Sequence, residues 1–383
     1  MDHAGEEERR VTTLELFFDL VFVFTLTQLT TLLAGDLTAA TMARVVLIFD
    51  VLFWMYAAYA WLTNAVPPDR PARRLLLILG MAAFLICALA IPRAFDGGGV
   101  AFGLGYLLVV LVHGGLYWEG YGAVVLWFAA PNVVAALCLV AAGFLHGRPA
   151  AWALWAVPLV NQFVTPWMTA RAATGLRVHA GHFVERHGLL LLVALGESVV
   201  AVGIGLGSVR LDLGLVAAAV LGLALAAGLW WSYFAGDEEG AERALVAAPM
   251  DRRFRLANNA YFYAYIPMLL GVIVIAAGVK RSIGHVTEQL GTGPALTLAG
   301  GVAIYLAGDV AFRRTLSIRP VGYRAAAAVL ALGTALLGVW VGAGVQLVAL
   351  VAVLVATLAA EARWRRRRTG VVSPPTVTGP APH

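Results

Sequence analysis

Three groups of ionisable and amide side chains stand in stretches otherwise built from Leu, Val, Ala and Phe. Near the start, TTLELFFDLVFVFTLTQ places Glu15 and Asp19 four residues apart, on one face of a helix. In the middle, HAGHFVERHGLLLLVALGES carries His182, Glu185, Arg186 and Glu197. His182 and Arg186 form an i,i+4 pair, and Arg186 and Glu197 fall on nearly one face three turns apart. Between these groups, PLVNQFVTP brackets Asn161 and Gln162 with Pro158 and Pro166. Ionisable groups in an apolar run are costly, face a bundle interior and pair with one another or mark a pathway. Arg186 is the candidate partner for Glu15 or Asp19. Glu15 also has a plainer reading, a helix-start carboxylate meeting the helix dipole. For Asp19 an interhelical ion pair and a functional role both stand. Glu197, near the centre of its apolar run and flanked by Gly196 and Ser198, has no evident partner and is the costliest polar group in the chain.

The prolines admit two readings. Proline removes a backbone donor, so the Pro158–Pro166 segment is either a kinked packing helix glued by amides or an interrupted helix of the kind that builds transporter sites. Pro131, beside Asn132, and Pro267 mark further breaks. Asp50, His113 and Asp309 complete the titratable set within apolar runs. Acids and amides with no lysine or arginine at a span centre suit protons or cations rather than anions. His179, His182 and Glu185 drift round a helix at i, i+3, i+6, so neither a metal site nor a cofactor is expected.

The elements that must hold these groups follow from composition. Of 383 residues, 61% are hydrophobic and 13% charged, against about 25% charged in a soluble domain. The mean hydropathy is +0.83. A soluble fold, a disordered chain and a disulfide scaffold are excluded. The fold class is all-α, a polytopic membrane bundle, because only helices satisfy their own backbone in lipid from single segments. About 20 apolar residues cross a bilayer. Twelve stretches qualify, near 14–34, 43–63, 75–91, 100–118, 121–144, 150–170, 188–208, 213–234, 257–280, 294–313, 321–341 and 343–362. They make one transmembrane domain over 1–368, with possible parallel halves 1–170 and 171–368. A Pro-rich tail, 369–383, should be disordered.

Net charge is +5, and 26 of the 27 basic residues are arginine. With twelve spans, 21 of them fall on one side; Arg44, Arg93, Arg148, Arg210, Lys280 and Arg281 fall on the other. The bias puts both termini in the cytoplasm. The expected partners are membrane lipids, with the Arg363–Arg368 run on anionic headgroups, and a small solute or ion. Nucleic acid is not among them. Neither the solute nor the oligomeric state is readable.

ELFFDLVFVF, HFVERHGLLLLVALGES, WWSYF with AERAL, YAYIPMLLGVIVIAAG and YLAGDVAFRR together resemble the bacterial low temperature requirement protein A family over about residues 10–362. The resemblance implies a multipass protein of the bacterial inner membrane, linked by name to growth in the cold and without an assigned biochemical activity. It carries over Glu15, Phe18 and Asp19 from the first motif, and Glu185, Arg186, Gly196 and Glu197 from the second. Tyr265 and Asp309 stand where histidine is often found in the family, and Ala235 where an acid often follows the YF pair. A proton relay through those positions would be altered here. FFDLVFVF is also similar, over a few residues, to the FSD motif opening each repeat of bacterial and lysosomal potassium channels.

Three functions follow from this reading, in order. The first is a proton- or cation-coupled secondary transporter or channel, with its pathway along Glu15, Asp19, Asn161, Gln162, His182, Glu185, Arg186, Glu197, Tyr265 and Asp309. The second is a non-catalytic accessory membrane protein using the polar stretch 235–256 as its contact surface. The third is an intramembrane enzyme on a lipid-like substrate, with Glu197 or His182 as acid–base; no nucleophile–base arrangement or nucleotide loop supports it.

Overall fold

Helix starts are written into short polar segments. Thr12 accepts from the backbone N–H of Glu15 while the Glu15 carboxylate accepts from that of Thr12 at 2.9 Å, a reciprocal cap that opens α1 (Thr13–Gly35). Thr38 caps α2 (Ala39–Ala65). In the turn between them, the Thr41 and Thr38 hydroxyls donate to Asp36 and hold its carboxyl below the usual carboxylate range. The computed structural model describes residues 10–121, 125–169, 178–205, 213–282, 284 and 286–369. Arg9, Arg171, Arg177, Arg210 and the chain beyond Thr369 lie outside them.

Among the described residues every regular element is helical. The chain continues through α3 (Pro71–Ala90), α4 (Gly99–Tyr121), α5 (Val125–Phe144), α6 (Pro149–Thr169), α7 (Ala180–Gly205) and α8 (Leu213–Phe234). Two short helices follow, α9 (Asp237–Ala247) and α10 (Met250–Asn258). Then come α11 (Tyr265–Ser282), α12 (Thr292–Thr315), α13 (Gly322–Gly333), α14 (Ala335–Trp340) and α15 (Ala343–Thr369). Among the described residues each of the twelve apolar stretches read from the sequence overlaps a helix, 257–280 running from the end of α10 through α11 and 321–341 covering α13 and α14. Nine segments among the described residues are long and apolar enough to cross a membrane.

Of the two readings of Pro158 and Pro166, α6 is continuous rather than interrupted, with its amides bonded to neighbouring helices. The break expected at Pro131 is corrected, since α5 runs through it. The break expected near Pro267 is a π-helical turn, Asn259–Tyr263, just before α11. Pro267 has no N–H for the Tyr263 carbonyl one turn back, and the ladder widens so that Ala264 N donates to Asn259 O at 3.2 Å.

Glycines set the closest helix pairs. A Cβ on Gly271 would lie 2.6 Å from the Tyr305 backbone nitrogen, and one on Gly301 would lie 2.7 Å from that of Ile275. α11 and α12 therefore touch backbone to backbone, as small residues allow in membranes. Gly103 does the same for α4 against α5. α2, α11 and α12 lie innermost; α8, α13–α14 and α15 are peripheral and expose Leu223, Val329 and Val348. The starts of α1, α3 and α7 and the ends of α2, α12 and α15 gather at one arginine-rich end with α9 and α10. Arg44, stacked over Phe95 at 5.5 Å, and Lys280 mark the opposite end.

Candidate functional site

The first turns of α1 and α7 and the last turn of α2 meet at the arginine-rich end around one buried guanidinium. Arg186 of α7, 1% exposed, donates from Nη1 to Glu15 Oε1 at 3.2 Å and from Nη2 to Asp19 Oδ1 at 3.3 Å. Its Nη1 also donates to the Thr63 hydroxyl of α2. The i,i+4 spacing of Glu15 and Asp19 brings both acids to one arginine. Tyr56 OH donates to Asp19 Oδ1 at 2.9 Å, and Arg186 lies over the Phe18 and Tyr56 rings, 5.8 Å from each.

His182 is held at both ring nitrogens. His179 N donates to Asn64 Oδ1 at 3.1 Å, and Asn64 Nδ2 lies 3.1 Å from His182 Nδ1. His182 Nε2 lies 3.2 Å from Glu15 Oε1. Two carboxylates face one arginine. Asp19 Oδ2 and Arg186 Nε are buried without a partner. Thr63 also lines a pocket of ≈ 10 Å³ with Leu62, Val66, Pro68, Arg73, Leu77 and Leu116, room for about one water.

The other residues read from the sequence fall at separate places. Glu185 is half-buried and accepts from Val11 N at 3.2 Å, tying down the segment before α1. Glu197 of α7 has a partner: Thr27 Oγ1 donates to Glu197 Oε2 at 2.7 Å. One turn along α1, Lys280 Nζ donates to Thr31 Oγ1 at 3.3 Å. The Ser198 and Thr30 hydroxyls are buried there without a partner. Phe22, packed on Tyr56 at 4.3 Å, lies along α1 between Asp19 and Thr27. Asn161 and Gln162 bridge α6 to α5 and α2: Asn161 donates to Asn132 Oδ1 at 2.9 Å, and Gln162 donates to Asp50 Oδ2 at 2.6 Å. Tyr265 joins Tyr233, Tyr261, His187 and Phe312 in a buried aromatic cluster.

Asp309 belongs to a second charged cluster whose other members were not among the candidate residues. Arg313 clasps Asp237 with Nε at 2.6 Å and Nη2 at 2.8 Å. It also reaches Glu361 Oε1 at 3.0 Å and Oε2 at 3.1 Å. Arg324 holds Glu361 at 2.9 and 3.1 Å and Asp237 at 3.2 Å, and pairs with Asp309. All five side chains are buried. They join α9, α12, α13 and α15 at the arginine-rich end. The i,i+4 spacing of Asp309 with Arg313 was the available signal. Tyr56, Thr63 and Asn64, the α2 wall of the first cluster, were also missed; a run of polar groups at the end of an apolar helix was their signal. Among the described residues no group of three His, Cys, Asp or Glu is placed to hold a metal ion.

A helical bundle with apolar outer faces and charges drawn inward defines a multipass membrane protein. A family model described as "Bacterial low temperature requirement A protein (LtrA)" matches residues 10–359, and the chain belongs to that family. It is 28% identical over 318 residues to an uncharacterized protein of Rhizobium meliloti (strain 1021), covering 79% of this chain and 77% of the relative. No solved structure matches the chain.

Proposed function

We propose that the protein is a proton-coupled carrier of the bacterial inner membrane, with its exchange site at Asp19, Glu15, Arg186 and His182. One observation carries the reading: two buried carboxylates share one arginine beside His182, and Asp19 Oδ2 is left without a partner. Asp309 Oδ1 of the second cluster is likewise without a partner; what sets this cluster apart is His182, 3.2 Å from Glu15, and the pocket beside Thr63. Asp19 keeps an acceptor in reserve, where one proton balances the charge of the site. Thr63 links the cluster to the small pocket at the arginine-rich end.

In this reading twelve helices cross the membrane, and the excess of arginine places that end and both termini in the cytoplasm. Asp19 loads and unloads its proton there. Glu197, about 12 Å further along the helix direction at 1.5 Å per residue from Asp19 to Thr27, faces the other side. The Phe22 and Tyr56 rings form the barrier between the two carboxyls. Asn161, Gln162, Tyr265 and Asp309 lie off this line and support the helices that must move. Glu185 anchors the entrance to α1.

The test is proton movement in vesicles holding the purified full-length chain, followed with a trapped pH dye. A bacterial small-solute extract on both sides supplies any co-transported solute. Wild type dissipates an imposed pH gradient. Asp19→Asn and Glu197→Gln each slow this by at least about tenfold, which corresponds to about 1.4 kcal/mol on the barrier, while the protein stays folded. Equal rates in wild type and Asp19→Asn overturn the carrier reading and leave the accessory role.

A further inference from the structure

Asp50 is the twelfth of the 27 residues of α2, well along the helix from the cluster at its last turn. It is 5% exposed. Gln162 Nε2 donates to Asp50 Oδ2 at 2.6 Å and to the Asp50 carbonyl at 3.1 Å. Among the described residues no arginine, lysine or histidine from the helices packed on α2 forms an ion pair with this carboxyl. Tyr106 of α4 is the titratable side chain that senses it. The contrast with Glu15, Asp19, Asp237, Asp309 and Glu361 is plain, since each of those meets an arginine.

A carboxylate cannot stay buried and charged without compensation. The charge must be balanced by a cation held on several oxygens or removed by a proton. The neighbouring oxygens are already engaged. Asn132 Oδ1 accepts from Trp54 Nε1 at 2.8 Å and from Asn161 Nδ2 at 2.9 Å, and Asn161 Oδ1 accepts from Thr165 at 2.7 Å. Gln162 presents its NH₂ to Asp50, not its oxygen. That donor repels a metal cation and tolerates a neutral carboxyl. We infer that Asp50 carries an exchangeable proton inside the α2–α6 interface, held against Gln162, as a site separate from the Arg186 cluster. Any part it takes in coupling rests on the carrier reading; the presence of the proton does not.

Infrared difference spectroscopy of the full-length chain in lipid bilayers, at neutral against alkaline pH, reads the proton directly. Wild type at pH 7 shows a protonated-carboxyl C=O band that Asp50→Asn loses and Asp19→Asn retains. Asp50→Glu moves the band, and this variant decides the matter if Asp50→Asn does not fold. A spectrum unaltered by both Asp50 substitutions overturns the inference. So does a band that appears only when sodium is replaced by choline, which would make sodium the balancing charge. Vesicles that fail to move protons while the Asp50 band persists remove the carrier reading and leave this site standing.

Discussion

Arg186 makes its three partners interdependent. Its guanidinium is buried with Glu15 and Asp19, 3.2 and 3.3 Å from their carboxylates. Buried pairs add little net stability, but removing one partner leaves a charge stranded. Arg186→Gln should therefore cost about 3–5 kcal/mol, read as a lower unfolding midpoint in detergent. The triple variant Glu15→Gln, Asp19→Asn, Arg186→Gln should recover most of that loss, because no charge then remains buried. A triple variant as unstable as the single one would show that shape, not charge, governs the site. The Glu15–Asp19 spacing was readable from the chain because i,i+4 geometry is local, and Arg186 was a candidate partner because both segments start at one boundary. The neighbours of His182 were not readable, since Asn64 is 118 positions away.

At the scale of elements, glycine decides how near two helices lie and proline decides less than its reputation suggests. α6 passes through two prolines without a break, while the distortion gathers at Asn259–Tyr263. A proline rule sees a missing donor; it cannot see whether the helix continues past it, as in α6, or its ladder widens, as it does before Pro267. The α11–α12 contact is more exacting. Gly271→Ala and Gly301→Ala each drive a Cβ against backbone that cannot swing aside, and should cost about 1–3 kcal/mol. Gly300, next in sequence and with nothing within 4 Å of its Cβ position, is the control: Gly300→Ala should stabilise by up to about 1 kcal/mol through helix propensity. Thermal midpoints measured side by side in one detergent check the contrast, and equal shifts at 300 and 301 would refute it.

For the whole molecule, two charged clusters at one end tie the bundle together in different ways. The Arg186 cluster joins α1, α2 and α7. The Arg313–Arg324 cluster joins α9, α12, α13 and α15, and Glu361 is the sole acid by which α15 enters it. Glu361→Gln should loosen α15 and the start of α13 first. Hydrogen exchange would then accelerate there while α1, α2 and α7 keep their protection. Acceleration spread evenly over the bundle would mean the cluster is part of one cooperative unit instead.

The amino-acid sequence alone determined that this chain is a bundle of membrane helices and where its long apolar segments fall, and it set acids opposite arginine. α9, α10 and the division of α13 from α14 were not legible in it. The legible properties follow from composition and from spacing over one or two turns, and every backbone group in lipid must be satisfied within its own segment. Only the tertiary structure decided which arginines turn inward. Arg313 and Arg324 are indistinguishable in sequence from arginines that lie among headgroups. They are buried because Asp237 and Glu361, far along the chain, arrive within about 3 Å to meet them, and that approach is set by packing among helices rather than by any local pattern.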